Sequence, residues 1–266
     1  MRRLGELRYE PTEKRIRATN GGETVVDSVR AMLVWEPRRV VPSYAVPEAD
    51  VRGELVPAAA ADAAGDAPPV LSPVIPFAVH STDGEPLTVR AGSHTLEGAA
   101  FRPADPDLAG HVVLDSRAFD GWLEEDEPVF GHPRDPFHRV DTRRSSRHIR
   151  IELDGRLLAE TTRATLLFET SLPTRYYLPR EDVRVELAPS ERRTYCPYKG
   201  EASYFSIDTA DGARDLIWCY EDPLEELVAV KGLLAFFDER VNVVVDGERR
   251  ELNTPFGTII ADEVGV

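Results

Sequence analysis

Short runs of alternating apolar and polar residues, separated by turn sequences, make up most of the chain. Val183–Leu187 alternates apolar and charged side chains, as a half-buried strand does. Two runs, Arg147–Leu153 and Arg156–Thr161, flank Asp154-Gly155, a dipeptide that favours the positive φ of a two-residue hairpin turn. Helical spacing is confined to Pro223–Val230, where it predicts one or two turns. The pattern predicts a mainly β chain of short antiparallel strands.

Further strands follow from the same pattern. In the second half we predict them at Thr165–Glu169, Arg175–Leu178, Glu201–Asp208, Leu216–Glu221, Leu233–Phe237 and Val241–Val245. In the first half they fall at Arg15–Thr19, Thr24–Asp27, Met32–Glu36 and Asp50–Leu55. Turns are predicted at Asn20–Gly22, Asp211-Gly212 and Asp246-Gly247.

The chain contains an internal repeat. Arg30–Glu36 recurs as Arg163–Glu169, and Tyr44–Leu55 recurs as Tyr176–Leu187. The repeat predicts a mainly β fold of two tandem small antiparallel β domains, barrel- or tent-like coiled sheets with minor helix. We place a degenerate first domain at 1–131, a connector at 132–146 and a complete second domain at 147–266.

The two copies differ after their shared segments. The first continues into an Ala/Pro tract at 57–69, which predicts a mobile loop because it offers almost nothing to bury. The second continues into Tyr195–Ser206, which is rich in aromatic and polar side chains. We therefore interpret the shared segments mainly as fold, and the segment found only in the second copy as the place of function.

Composition narrows the classes of function. The 266 residues carry a net charge of -15, which opposes nucleic-acid binding, and the basic segment Arg143–Arg150 is typical of a solvated strand face. No apolar stretch is long enough to cross a bilayer, and the two cysteines give no disulfide framework. We expect a cytoplasmic protein that binds neither membrane nor nucleic acid, and the sequence leaves its oligomeric state open.

Several motifs of the second copy together resemble a known family. They are Arg163-Ala-x-Leu-Leu-x-Glu169, Arg175–Pro179, Glu181–Val183, Cys196-Pro-Tyr-Lys-Gly200, Ser203–Ser206, Trp218 with Tyr220, and Gly232 before an apolar strand. The chain resembles a tandem member of the bacterial family described as domain of unknown function 427. The resemblance implies no established activity, although some members bear a nucleotidyltransferase label. The first copy lacks the Cys-Pro-x-Lys-Gly segment.

The candidate ligand-binding residues are aromatic, hydroxyl-bearing or basic side chains of the second copy. They are Arg175, Tyr176, Tyr177, Cys196, Tyr198, Lys199, Ser203, Tyr204, Ser206, Trp218 and Tyr220. Strand alternation places Ser203 with Phe205 on one face and Tyr204 with Ser206 on the other, and separates Trp218 and Tyr220 from Cys219. Aromatic walls with a few polar groups are typical of a small-molecule site. We therefore predict that the second copy binds a small anionic or nucleotide-like ligand, with Lys199 pairing its anionic group.

Other interpretations stay open. Lys199 or Cys196 is a candidate catalytic residue of a group-transfer enzyme, such as a nucleotidyltransferase, although no phosphate-binding loop or metal-binding carboxylate cluster accompanies them. Alternatively, the tyrosine-rich surface binds another protein, or the aromatic residues are core and Lys199 caps a turn. The connector residues His132, Asp135, His138 and Asp141 match no zinc signature, so we predict no metal site, and the sequence identifies no cofactor.

Overall fold

The computed structural model describes residues 3–58, 68–208 and 213–251. The chain divides into two compact units, Met1–Asp135 and Pro136–Val266. Each unit contains two antiparallel sheets, one of seven strands and one of four, so the predicted mainly β antiparallel fold is confirmed. None of these four sheets closes into a barrel.

In the first unit the seven-stranded sheet has the order β1-β4-β5-β9-β8-β7-β6, and the four-stranded sheet has the order β11-β10-β2-β3. The strands are β1 (Arg8–Pro11), β2 (Ile16–Asn20), β3 (Glu23–Ser28), β4 (Met32–Trp35), β5 (Ser43–Pro47), β6 (Glu54–Pro57), β7 (Gly84–Ala91), β8 (His94–Pro103), β9 (His111–Leu114), β10 (Gly121–Glu124) and β11 (Glu127–Val129). Two short 3₁₀ helices span Glu48–Asp50 and Pro106–Leu108.

The second unit repeats this arrangement, with the orders β12-β15-β16-β20-β19-β18-β17 and β14-β13-β21-β22. Its strands are β12 (Val140–Arg144), β13 (Ile149–Leu153), β14 (Arg156–Thr161), β15 (Thr165–Glu169), β16 (Arg175–Leu178), β17 (Ala188–Cys196), β18 (Gly200–Ile207), β19 (Ala213–Cys219), β20 (Leu234–Phe236), β21 (Asn242–Val245) and β22 (Glu248–Arg249). Its 3₁₀ helices are Arg180–Asp182 and Glu225–Val230. Replacing each strand by its counterpart converts one unit's topology into the other's.

Local turn chemistry sets the strand boundaries. Asp154 and Gly155 join β13 to β14 with φ values of 51° and 78°, so the predicted hairpin is confirmed. Asp246 and Gly247 join β21 to β22 in the same way. The predicted turn at Asp211-Gly212 lies outside the described residues, as does most of the Ala/Pro tract, at 59–67.

In the second unit the seven-stranded sheet has two different faces. One packs on the four-stranded sheet through aliphatic residues such as Ile151, Leu166, Leu178 and Ile217, none more than 7% exposed. Burying each side chain of this size stabilises the fold by about 1.5–3 kcal/mol. We call this the inter-sheet core.

The opposite face of the same sheet carries a second cluster, which we call the aromatic face. It consists of Leu167, Tyr177, Ala202, Tyr204, Trp218, Tyr220, Leu227, Val230 and Ala235. The 3₁₀ helix Glu225–Val230 contributes its two fully buried residues, Leu227 and Val230, to this cluster. The aromatic face is therefore covered by the chain's own connection between β19 and β20.

Candidate functional site

Strand alternation selects which candidate residues reach the aromatic face. On β18, Tyr204 belongs to that face whereas Phe205 belongs to the inter-sheet core. On β19, Trp218 lies on the aromatic face and Cys219 in the core, as the alternation predicts. The adjacent tyrosines of β16 separate in the same way, since Tyr176 points into the inter-sheet core and Tyr177 into the aromatic face.

Strand register aligns four positions of the aromatic face in one row across the sheet. Tyr204 pairs with Trp218, Trp218 with Ala235, and Ala235 with Tyr177. The indole Nε1 of Trp218 donates to the hydroxyl oxygen of Tyr177 at 3.0 Å. Trp218 therefore fixes the ring of Tyr177 and occupies one acceptor position of its hydroxyl group.

The corresponding row of the first unit carries no hydroxyl groups. Pro86 pairs with Phe101, Phe101 with Val113, and Val113 with Ala45. Smaller apolar residues thus stand where the second unit has Tyr204, Trp218 and Tyr177. The polar character of the aromatic face is a property of the second unit.

A buried ion pair lies at the end of β15, on the side of the sheet that carries Leu167 two residues earlier. Lys199 Nζ donates to both carboxylate oxygens of Glu169 at 2.6 Å, and the two side chains are only 13% and 6% exposed. Burial works to raise the pKa of Glu169, but Lys199 and His138 outweigh it and lower the pKa to about 2. Burial likewise works to lower the pKa of Lys199, and the carboxylate of Glu169 reverses the effect and raises it. Both groups are therefore charged at neutral pH.

His138 is the third member of this polar group. Its Nε2 lies 3.0 Å from Oε1 of Glu169, and its ring stacks on Tyr198 with centroids 4.3 Å apart. Because an ionised carboxylate only accepts hydrogen bonds, Nε2 must carry the proton. The stack connects His138 to the turn between β17 and β18 that also supplies Lys199.

Two tyrosine hydroxyl groups near the ion pair keep unused donor capacity. Tyr177 and Tyr220 are 1% and 5% exposed, and their ring centroids lie 6.5 Å apart. Within the described residues, the hydroxyl of Tyr177 only accepts, from Trp218, and that of Tyr220 makes no hydrogen bond. Burial raises the pKa of both, so both keep their protons. The hydroxyl oxygen of Tyr220 is not among the buried atoms without a partner, so it keeps some contact with solvent, whereas Tyr177 is 1% exposed. Both hydroxyl groups are therefore candidate ligand contacts.

Cys196 lies beside the same groups. The carboxylate of Glu169 raises the pKa of Lys199 and burial raises that of Tyr220, and the thiol of Cys196 adds to both increases. Cys196 is partly exposed, whereas Cys219 lies in the inter-sheet core, where burial raises the pKa of its thiol to about 12. Neither cysteine forms a disulfide.

Several other predicted site residues are already engaged on the aromatic side of the sheet. Arg175 donates to Glu239 at 2.9 Å with its guanidinium above the ring of Trp218. The hydroxyl of Tyr204 bonds Thr194 Oγ1 at 2.6 Å. The polar groups of Arg175 and Tyr204 therefore form hydrogen bonds within the second unit.

Three predicted residues lie away from the group formed by Glu169, Lys199, Tyr177 and Tyr220. Tyr176 belongs to the inter-sheet core and accepts a hydrogen bond from Arg250. Ser203 points to that side and donates to the carbonyl of Cys219 at 3.4 Å. Ser206 accepts from the backbone N–H of Asp215 at 2.9 Å, where β18 and β19 change register.

The first unit retains the carboxylate of the ion pair with different partners. Glu36, the counterpart of Glu169 in the repeat, accepts from Arg39 Nε at 3.2 Å and lies 3.2 Å from Nδ1 of His80. It also accepts from the backbone N–H of Ser81 and from Thr82 Oγ1, at 3.3 and 3.2 Å. His80, Ser81 and Thr82 lie just before β7, with Asp83 between, and Lys199 immediately precedes β18. In both units the carboxylate therefore holds the connection before this strand against the sheet.

Sequence reasoning missed Glu169 and His138. Glu169 lies in the repeated segment, which the sequence pattern interprets as fold, and His138 lies in the connector, where it counts only as a candidate metal ligand. A signal was present, because an acidic residue ends the same apolar strand in both copies, at Glu36 and Glu169. A carboxylate closing a buried strand requires a cationic or hydrogen-bonding partner.

Metal-binding clusters and membrane-spanning helices are both absent from the described residues. Within residues 3–58, 68–208 and 213–251, no three His, Cys, Asp or Glu side chains are grouped closely enough to hold a metal ion. Over the same residues, no helix has both the length and the apolar character needed to cross a bilayer.

Comparison with known proteins places part of the chain in a family context. Residues 141–247 match the model of a family described as a domain of unknown function (DUF427). The match lies within the second unit and contains Glu169, Tyr177, Lys199 and Tyr220. No curated protein matches the chain. The family similarity therefore covers the unit that contains the candidate residues and states no activity for it.

Proposed function

We propose that the second unit binds a small ligand on its aromatic face, and that Tyr177, Tyr220 and Lys199 supply the hydrogen bonds. The observation that carries the proposal is the unused donor capacity of Tyr177 and Tyr220, both buried beside a charged pair. Leaving a buried donor unsatisfied costs about 1–3 kcal/mol, and a ligand that accepts from it recovers this cost. Such groups are typical of binding sites.

The donors define the chemistry of the ligand. Glu169 occupies two N–H groups of Lys199, which leaves one for a ligand. Together with the two hydroxyl protons, this gives up to three donors close to aromatic rings. A planar ring bearing oxygen acceptors fits them, as in a nucleotide-like molecule or a small aromatic acid. Because Glu169 neutralises Lys199, we expect hydrogen bonding and ring contact to contribute more than net charge.

The same geometry argues against Lys199 as a covalent nucleophile. A lysine forms an adduct only through its neutral amine, and the pairing with Glu169 raises the pKa of Lys199. Group transfer through Lys199 would first require breaking this ion pair. Binding therefore accounts for the arrangement better than catalysis through this residue.

We further propose that the first unit is a diverged copy of the same domain. It keeps the strand order and the buried carboxylate, but it has Ala45 in place of Tyr177. Pro103 follows Phe101 by two residues, as Tyr220 follows Trp218. The first unit thus retains the fold without the hydroxyl groups, and we expect one ligand site per chain.

A binding screen with two matched variants tests the proposal. Nucleosides, nucleotides and aromatic carboxylates are screened for thermal stabilisation, and each hit is titrated by calorimetry. Tyr177→Phe and Tyr220→Phe should each weaken the affinity about 3- to 10-fold, as expected for one hydrogen bond. Tyr176→Phe, the adjacent residue on the opposite face, should leave it unchanged. Equal affinity in all three variants would exclude the proposed donors, and no hit across the panel would exclude the ligand class.

A further inference from the structure

The aromatic face presents a problem of access. Tyr177 is only 1% exposed, so a ligand cannot reach its hydroxyl group unless something moves. Part of the cover is the connection between β19 and β20. We call residues 221–233 of this connection the cover segment. Its central element is the 3₁₀ helix Glu225–Val230.

The cover segment packs on the aromatic face through two side chains. Leu227 and Val230 are fully buried and belong to the same cluster as Tyr177 and Tyr220. The helix also lies against β12, whose Val140 packs against that cluster. Between the two anchors, Val228 is 57% exposed. The segment therefore has one apolar face turned toward the site.

Polar contacts hold the cover segment at its ends, and Glu221 at its start also pairs with Arg180 at 3.9 Å. Its two ends are tied by the N–H of Leu224, which donates to the carbonyl of Lys199 at 3.2 Å, and by the N–H of Gly232, which donates to that of Tyr220 at 3.0 Å. The ion pair between Lys231 and Asp222 is exposed, and the helix has no side-chain cap at its N-terminus. Short 3₁₀ helices also have poorer hydrogen-bond geometry than α-helices. Leu227 and Val230 are the buried residues of the helix.

The first unit has a shorter connection at this position. Between β8 and β9 it needs only residues 104–110, about half the length of the connection between β19 and β20. Its single buried anchor is Leu108. The longer, helix-containing cover thus occurs in the unit that keeps the tyrosine hydroxyl groups.

We infer that the cover segment is a lid that opens to admit ligand to the aromatic face and closes over it. The inference rests on the proposed function, since it assigns the route to that same site. Lid motion consists of releasing Leu227, Val230 and the hydrogen bond from Leu224 to Lys199, while the C-terminal end stays anchored at Gly232. Gly232, at φ 71° and with open space around its missing Cβ, allows the chain to turn at the C-terminal end.

Cys196 offers a readout of lid opening that needs no ligand. It shares a turn with Lys199, and the lid crosses this turn, because Leu224 N is 3.4 Å from the position that a Cβ on Gly200 would occupy. Iodoacetamide labelling, followed by peptide mass spectrometry, gives separate rates for Cys196 and Cys219. Cys219 is buried in the inter-sheet core, and its thiol contacts the cover segment at Glu221 and Gly232, outside the part that is released, so its rate reports global unfolding.

Matched variants separate lid opening from unfolding. Leu227→Ala should raise the Cys196 rate about 10-fold or more while leaving the Cys219 rate nearly unchanged, because it loosens only the lid. Leu178→Ala, equally buried but in the inter-sheet core, should raise both rates together. Lys231→Met removes only the exposed ion pair with Asp222. It should give a smaller rise in the Cys196 rate alone, and it should not affect folding because both side chains are exposed.

Two results would overturn the lid. One is a Cys196 rate in the wild-type protein equal to that of the urea-unfolded chain, since the cover would then not shield the turn. The other is a Leu227→Ala protein in which both cysteines, or neither, react faster. Labelling is independent of the ligand screen, so failure to find a ligand leaves this result standing. Tyr220→Phe should leave the labelling ratio unchanged while it weakens binding.

Discussion

Lys199 places its ammonium group within 2.6 Å of both oxygens of Glu169, although 30 residues separate the two in the chain. Both side chains are more than 85% shielded from solvent. A buried pair of this kind gains little relative to apolar residues of similar size, but separating its charges is costly. The relationship therefore has consequences for stability that can be measured.

Glu169→Gln should lower the free energy of unfolding by about 3 kcal/mol, because it leaves the ammonium of Lys199 buried without a counter-charge. A Glu169→Gln/Lys199→Met double variant should recover at least ~1 kcal/mol of that loss. Urea unfolding at pH 7 measures the stability of both variants and of the wild-type protein. Glu181→Gln, at a side chain 67% exposed, serves as the control and should change stability by less than ~0.5 kcal/mol. Equal losses of stability in Glu169→Gln and Glu181→Gln would contradict the buried pair.

Asp238→Asn should stabilise the protein at pH 8 and have little effect at pH 4. Oδ2 of Asp238 is buried without a hydrogen-bond partner, and burial raises the pKa of this carboxyl to about 7. The unfolded chain loses this proton near pH 4, so ionisation penalises the folded state increasingly between about pH 4 and 7. Above pH 7 the full penalty applies, and asparagine removes it.

The expected gain at pH 8 is on the order of 2–4 kcal/mol, from a shift of about three pKa units at 1.36 kcal/mol each. Arg175 keeps its main partner, Glu239, in the variant. Urea titrations at pH 4, 6 and 8 follow the effect. A stability difference that does not change with pH would show that Asp238 does not carry the raised pKa.

Ligand binding should change the fluorescence of Trp218. Its indole touches Tyr177 through the Nε1–hydroxyl hydrogen bond, so a ligand that engages this hydroxyl alters its surroundings. The chain has three tryptophans, and Trp218→Phe should abolish the ligand-dependent change while keeping the emission of the other two. A ligand-dependent change that persists in Trp218→Phe would place the ligand elsewhere.

Glu36→Gln should destabilise the first unit by about 3 kcal/mol, because the buried Arg39 loses its carboxylate partner. The hydrogen bonds from His80, Ser81 and Thr82 to the same carboxylate are lost or weakened as well. Hydrogen exchange should accelerate in residues 68–83, the described part of the connection that Glu36 holds. Glu54→Gln, at an exposed position of β6, provides the control. Ligand affinity should stay at the wild-type value, since the site belongs to the second unit. Unchanged exchange in 68–83 would contradict the role of Glu36.

Much of the fold could be predicted because local chemistry determines it. The Asp154-Gly155 turn and the period-two patterns on either side of it lead directly to β13 and β14. The alternation on β18 and β19 likewise assigned Tyr204 and Trp218 to one face of their strands. These signals need only neighbouring residues.

The candidate site was harder to predict because its contacts cross the sheet. The strand order brings the end of β15 to the turn before β18, and no local pattern states that order. Periodicity also shows that Tyr176 and Tyr177 face opposite ways without showing which one faces the core. The partners of Glu169 could therefore not be deduced, and both tyrosines were predicted as ligand contacts.

The buried carboxylate at the end of β4 and of β15, which binds the residues before β7 and β18, also matters for protein engineering. In the first unit Glu36 holds a connection of 26 residues, 58–83, whereas in the second unit Glu169 holds the three-residue turn 197–199. The same sheet thus accepts connections of very different length and sequence at this position, provided that the residues just before the strand supply donors to the carboxylate. Peptides inserted there, upstream of such donors, should be displayed without disturbing the strand order, which makes this position a natural graft point in the scaffold.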